Sequence, residues 1–198
     1  MAKRAVIGFK GIALAPIVED SLTAYVTEAG KELPFAGAMS RTAKESTTDL
    51  YYDDGIYAQI KDVQGEDVEI RVAEMTSQLM QEYGLGTFNE TTNTFEGDFT
   101  LTGKEFALRF VTDTVSGLPY YYNYRVFEMN GVKLDNHTTK KDSITICEVI
   151  ITGVLKKPRM PGLASYARME MLEDKSNAEA CNAFLAAAES KGTPAANG

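Results

Sequence analysis

The sequence predicts a mainly β protein: a β-sandwich with a flanking short α-helix, plus a C-terminal helix. Three observations predict it. Ten Tyr and nine Phe with no Trp, beside many Val, Ile and Thr, favour pleated, half-buried surfaces over helices. Most of the chain alternates apolar and polar residues with a period of two. Short Gly, Asn and Asp clusters punctuate those alternating runs. At 198 residues and 44% hydrophobic composition the chain can bury one sizeable core.

Strands are expected at 12–18, 33–39, 56–62 and 67–74. Between the second and third lies Ser40 to Thr48, SRTAKESTT, polar and without an apolar anchor. It reads as a mobile loop, or as a hairpin tip that becomes ordered on a partner. Asp53-Asp54-Gly55 reads as a turn, because Asp-Gly is a strong turn dipeptide. A calcium loop needs ligands at alternate positions, and here Ile56, Tyr57 and Ala58 come next.

A helix is expected over 76–84. Thr76 is its N-cap, Met75 and Met80 form a hydrophobic staple, and Gly84 stops it. Leu79, Met80 and Tyr83 make an apolar face to be buried against a sheet. Residues 105–113 and 119–129 form a hairpin across Val115-Ser116-Gly117-Leu118. Phe106, Leu108 and Phe110 share one face of its first arm, and Ala107, Arg109 and Val111 the other. Tyr120, Tyr122, Tyr124 and Val126 oppose Tyr121, Asn123, Arg125 and Phe127 on the second arm. Asn130-Gly131 reads as the next turn. Residues 142–156 form the most apolar strand, suited to the middle of a sheet, with Gly153 marking a bulge or bend. Ser176 and Glu179 form a capping box for a last helix whose face holds Ala180, Phe184, Leu185 and Ala188, ending at Gly192. The final TPAANG reads as disordered. The division is a domain over 1–175 and a helix with a tail over 176–198.

No catalytic, cofactor-binding or metal-binding set emerges, and the chain does not read as an enzyme. The one His, His137, lies in the polar segment NHTTKKD, without a metal-ligand partner at usable spacing. Cys147 and Cys181 form no CxxC and read as structural thiols. P-loop, GxGxxG and HExxH patterns are absent from the sequence. Tyr120-Tyr121-Tyr122 reads as packing, because adjacent residues of a strand point to opposite faces. The opening MAKRAVIGFKGIALAPIVED is broken by Gly8, Lys10, Gly11 and Pro16, so no secretory signal is expected. No apolar run approaches a membrane span.

The formal net charge is −8 and unevenly placed. Lys44 to Glu74 holds three basic residues against nine acidic ones, whereas Val154 to Arg168 holds four basic residues and no acid. Gripping nucleic acid draws on Lys and Arg against phosphate, so this chain is a poor candidate for it. The balance fits a plain soluble acidic surface, and equally acidic and basic patches that meet on neighbouring copies or an acidic face that does not hold DNA.

One stretch carries a family resemblance. Leu50-Tyr51-Tyr52-Asp53-Asp54-Gly55 is succeeded by Val68 to Thr76, a short helix ending in Leu79 to Gly86, the strand Phe106 to Phe110, and Thr138-Thr139-Lys140 leading to Ile144–Gly153. This order resembles the major tail proteins of long-tailed bacteriophages of the phi13 type, over roughly residues 5–175. The resemblance implies hexameric rings that continue their sheets around a channel and stack into the tail tube of the virion. It implies self-association, a tape measure protein and tail terminator or tip proteins as partners, and double-stranded DNA that passes without tight binding. Cofactors and membranes have no part in it, and the subunit would be made in the bacterial host cytoplasm. The family's inter-subunit loop would fall near 37–60, making Ser40, Arg41, Lys44, Glu45, Thr48, Tyr51, Tyr52, Asp53 and Asp54 candidate contacts. Asp62, Glu66 and Asp67 are candidate channel-lining acids. The competing expectation is a monomeric β-sandwich binding module of a bacterial surface or secreted protein.

Overall fold

A computed structural model describes residues 6–34, 36–52, 55–73, 75–97, 103–134 and 149–192. In chain order the elements are β1 (Val6–Asp20), β2 (Ala24–Thr27), β3 (Lys31–Glu32), β4 (Ala36–Tyr52), β5 (Gly55–Val72), α1 (Ser77–Glu82), β6 (Gly86–Asn89) and β7 (Thr94–Gly97). They continue with β8 (Lys104–Thr114), β9 (Tyr120–Leu134), β10 (Val149–Lys156), β11 (Tyr166–Glu170), α2 (Ala178–Ala183) and β12 (Glu189–Gly192). The fold is mainly β, with two antiparallel sheets and two short helices among the described residues. The large sheet runs β12-β2-β1-β8-β9-β10-β5-β4, with β3 also on β1 and β11 also on β9; β6 and β7 form the small sheet.

The main core lies between one face of the large sheet and a cover made by α1 and the small sheet. Ile12, Leu14, Leu108, Phe127, Ile70 and Ile151 come from the sheet, and Met75, Tyr83, Leu85 and Phe95 from the cover. Thr76 caps α1, its hydroxyl accepting from the Leu79 amide at 3.2 Å. Gly84, at φ +68, ends it: its amide donates to the Gln81 carbonyl at 2.8 Å and that of Leu85 to Met80 at 2.9 Å. An L-residue other than glycine resists that left-handed turn. The helix itself buries no residue completely. Leu79 and Met80 are half-buried against the core, while Met75 and Tyr83 at its ends are buried. Leu79→Ala is therefore expected to cost about 1–2 kcal/mol, below the ~2–5 of a fully buried leucine. Urea unfolding should show a lowered midpoint with an unchanged slope.

The hairpin of β8 and β9 forms as its alternation predicts, closed by the Gly117 amide donating to Thr114 at 3.0 Å. Two single-residue irregularities change which face the later residues of β9 occupy. Phe106 pairs with Phe127 but Leu108 with Tyr124, so β9 carries one extra residue there. Phe127 is thereby moved off the face of Tyr121, Asn123 and Arg125 and into the main core. Asn130-Gly131 is not a turn: both lie within β9, where Thr152 pairs with Gly131 but Gly153 with Met129. Gly153 stands at that irregularity, and a methyl group there would overlap the Phe127 ring and the Glu128 carbonyl.

β10 is an interior strand, as its apolar content predicts, with Val149, Ile151 and Leu155 buried. Its predicted first half, with Ile144, Ile146 and Cys147, lies outside the described residues, as do His137, Thr138 to Lys140 and the TPAANG tail. The strands expected at 56–62 and 67–74 are one strand, β5. The C-terminal segment is not one long helix. α2 ends with the cap Phe184, the Ser176 hydroxyl bonds Asp174 at 2.8 Å, and Asn177 holds the N-cap position. Cys181, Phe184 and Leu185 face the sheet, whereas Ala180 and Ala188 are exposed. Residues 189–192 become a strand on β2.

Candidate functional site

Ser40–Thr48 is no loop: it is the middle of β4, paired with β5 from Ala36↔Val72 to Tyr52↔Gly55. β10 pairs with β5 only over Glu66–Val72, so among the described residues Gly55–Gly65 pair with β4 alone. That run corresponds to ~35 Å of two-stranded arm. An isolated two-stranded ribbon is marginal in water and depends on what covers it. The hydrophobic pattern did not reveal the arm because SRTAKESTT holds no apolar alternation on which a strand reading could rest.

The sequence-predicted contact residues fall along this arm. Ser40, Arg41 and Lys44 are exposed at its base. Glu45, Thr48, Tyr51 and Tyr52 stand farther out, opposite Val63, Ile60, Ile56 and Gly55. Asp53 and Asp54 lie outside the described residues.

The base is tied to the body through Arg41. Its guanidinium is 3.3 Å from the Glu66 carboxylate, lies 5.1 Å from the Tyr124 ring centre and donates to the Tyr124 hydroxyl. Tyr124 in turn stacks between Phe110 and Tyr166. Burial raises the Tyr124 hydroxyl above the ordinary tyrosine range, against the opposing pull of Arg41.

The candidate channel acids do not share one surface. Glu66 and Asp67 are adjacent on β5 and point to opposite faces. Glu66 turns toward Arg41 and Tyr124; Asp67 turns to the open face, 2.8 Å from Lys44. Asp62 stands opposite Ser46 on the arm. The open face of β4, β5, β10 and β9 forms a shallow groove lined by Ser40, Thr42, Asp67, Glu69, Asn130 and Thr152.

Several charged side chains pair within the chain among the described residues. Arg71 meets Glu69, Lys156 meets Glu128, Arg159 meets Glu105 and Arg168 meets Glu170. Exposed pairs of this kind stabilise little. They place Lys156, Arg159 and Arg168 of the basic 154–168 segment beside carboxylates of the same chain.

Sequence reasoning missed a second constellation, on the opposite face of β8 and β9. Arg109, Asn123 and Arg125 are all buried there. Arg125 meets Glu189 at 3.0 Å and donates to the Ala164 carbonyl at 2.5 Å; Asn123 donates to Glu189 at 2.6 Å. Arg109 donates to the Ala187 carbonyl and, at 3.2 Å, to Thr27. Burial lowers the Arg109 pKa, against the attraction of Glu189. Tyr25, pushed well above its ordinary value by burial and then by Glu189, keeps its proton and donates to the Arg125 carbonyl at 2.6 Å. The available signal was two arginines on facing arms of the predicted hairpin, Arg109 on one and Arg125 on the other, which need buried acceptors from another segment. The network fastens the C-terminal segment to the sheet, so residues 176–192 belong to the same folded unit as the rest.

Among the described residues no cluster of His, Cys, Asp and Glu could hold a metal ion, and no helix is long and apolar enough to cross a membrane. No protein-family model matches the chain, and no curated protein is significantly similar to it.

Proposed function

We propose that this chain is a structural subunit that closes into rings and stacks into a tube, the tail tube of a long-tailed bacteriophage. The β4–β5 arm carries the proposal. It extends past the sheet that supports its base, and β4 is a 17-residue edge strand without a partner on its outer side among the described residues. A long open edge invites pairing with another chain, and in a closed ring each such edge meets the next subunit. The sequence resemblance supplies the tube and the passage of DNA.

The acidic balance fits a conduit. At physiological salt a charge acts over about 8–10 Å, and on the open groove Asp67 and Glu69 stand beside Lys44 and Arg71, so that face would offer passing phosphates no net positive charge to hold them if it lines the bore. Electron micrographs of the purified protein at increasing concentration test the proposal. Uniform rings or tubes are expected, whereas dispersed particles at every concentration favour the monomeric binding module. The subunit is also expected not to retain duplex DNA at low salt in a mobility-shift assay. Tight, salt-sensitive binding would overturn the conduit, because a tube that grips its cargo cannot release it.

A further inference from the structure

The large sheet contains six strands in the order β1-β8-β9-β10-β5-β4, every neighbouring pair antiparallel. An even number of alternating strands leaves the two outer ones running in opposite directions. At one end stands β4. At the other, β1 is covered on its outer side by β3 at Ala13 and Leu14 and by β2 from Ile17 onward. Val6–Gly11 of β1 pairs with β8 on one side and with no strand on the other, among the described residues.

Both free edges lie at the same height of the sheet. One continuous row of pairs crosses all six strands: Pro16, Phe106, Phe127, Leu155, Glu66 and Ala43. Six residues along β8 from Phe106 stands Thr112, the partner of Phe9. Six residues along β4 from Ala43 stands Asp49, on the arm. Phe9 and Asp49 therefore occupy one level on opposite edges, and Gly8 matches Leu50 in the next row.

We infer that the distal half of β4 in one subunit pairs antiparallel with Val6–Gly11 of β1 in the next copy, with Phe9 opposite Asp49 and Gly8 opposite Leu50. The inference rests on the ring-forming subunit proposed above and names the edges that close the ring. A rotation about an axis along the strands preserves both strand direction and level. It carries the free edge of β1 onto the free edge of β4 in the antiparallel sense, without changing the pattern of the sheet. This register is that of strands running along the ring axis, and tilt slides it along the same two edges by about one residue per strand. The extra residues Ile7 and Lys10, where β1 bulges against β8, make this edge a poor template for an unmatched strand. Gly8 has open space around the position of a side chain.

Disulfide trapping in the full chain tests it, in a Cys147→Ser, Cys181→Ala background. One variant adds Gly8→Cys with Leu50→Cys, the other Phe9→Cys with Asp49→Cys. Of two successive antiparallel rows one is the close, non-hydrogen-bonded kind, with Cα atoms about 4.5 Å apart, inside the range a disulfide spans. Within one subunit these positions lie across five strand spacings, ~24 Å, and cannot be bridged. Oxidation of assembled protein is expected to give a ladder from dimer to hexamer on a denaturing gel. A mixture of Gly8→Cys subunits with Leu50→Cys subunits should give dimers alone, and neither should cross-link by itself. Rings that form under reducing conditions but yield no cross-link in either row, or between position 9 and any of positions 43–52, overturn the edge assignment and leave the ring proposal standing. Cross-linking of Leu50→Cys or Asp49→Cys alone shows β4 paired with β4 and overturns it too. Absence of rings in the parent background, with the wild type equally dispersed, overturns both.

Discussion

Replacing residues 45–64 with an Asn-Gly turn between Lys44 and Gly65 is expected to leave a folded subunit that forms no tubes. Lys44 and Gly65 are partners across the hairpin, so a two-residue turn can close the shortened ladder there. Among the described residues the core contribution of β5 begins at Val68, and Arg41 with Glu66 remains to hold the shortened arm against Tyr124. Far-ultraviolet circular dichroism and a cooperative thermal transition near the wild-type midpoint would report the intact body. Electron microscopy would report the loss of tubes. Tubes of normal appearance from this variant would remove the arm from assembly, and with it the main support for the proposed function. Cutting at Ser40–Thr48, as a loop reading of that segment suggests, is a worse test. Ser40, Arg41, Thr42 and Ala43 face Glu69, Val68, Asp67 and Glu66 within the body of the sheet, so that deletion damages the fold and the arm together.

How much of the fold is legible in the sequence depends on how local each determinant is. The β8–β9 hairpin was legible because Phe106, Leu108 and Phe110 alternate cleanly and Gly117 marks the turn. The first helix was legible because its start and stop signals, Thr76 and Gly84, act within one turn of chain. The bulge beside Arg125 and the irregularity at Asn130 were not legible, since one inserted residue exchanges the faces of all later residues while leaving composition unchanged. The alanine-rich segment after Ala183, with good helix propensity, leaves the helix through a turn and becomes a strand at Glu189–Gly192, held by Arg109, Asn123 and Arg125, residues distant in sequence. Tertiary donors outweighed local preference there. The arm was legible as an unanchored stretch between strands, but its strand conformation was not, because nothing in SRTAKESTT distinguishes a solvated ribbon from a loop.

Glu189→Ala is expected to give the largest loss of stability of any single change outside the main core, about 3–5 kcal/mol. The Glu189 side chain is 13% exposed and that of its partner Arg125 8%. Removing the carboxylate leaves the Arg125 guanidinium and the Asn123 amide without the acceptor they share, in a site that water enters poorly. The Asn123 side-chain carbonyl already has no partner within the described residues, so the network has little capacity to rearrange. Glu189 also anchors β12, whose pairing with β2 places the segment over Arg109. Loosening it should therefore increase hydrogen exchange at Thr27 and Val26 as well as lower the urea midpoint. A double-mutant cycle separates the two sources of this loss. Removing both charges in Arg125→Met, Glu189→Leu should cost less than Glu189→Ala alone, because no uncompensated ion is left buried. If the single change costs under about 1 kcal/mol, or the double change costs the sum of the two singles, then the C-terminal segment is not held to the sheet by this pair.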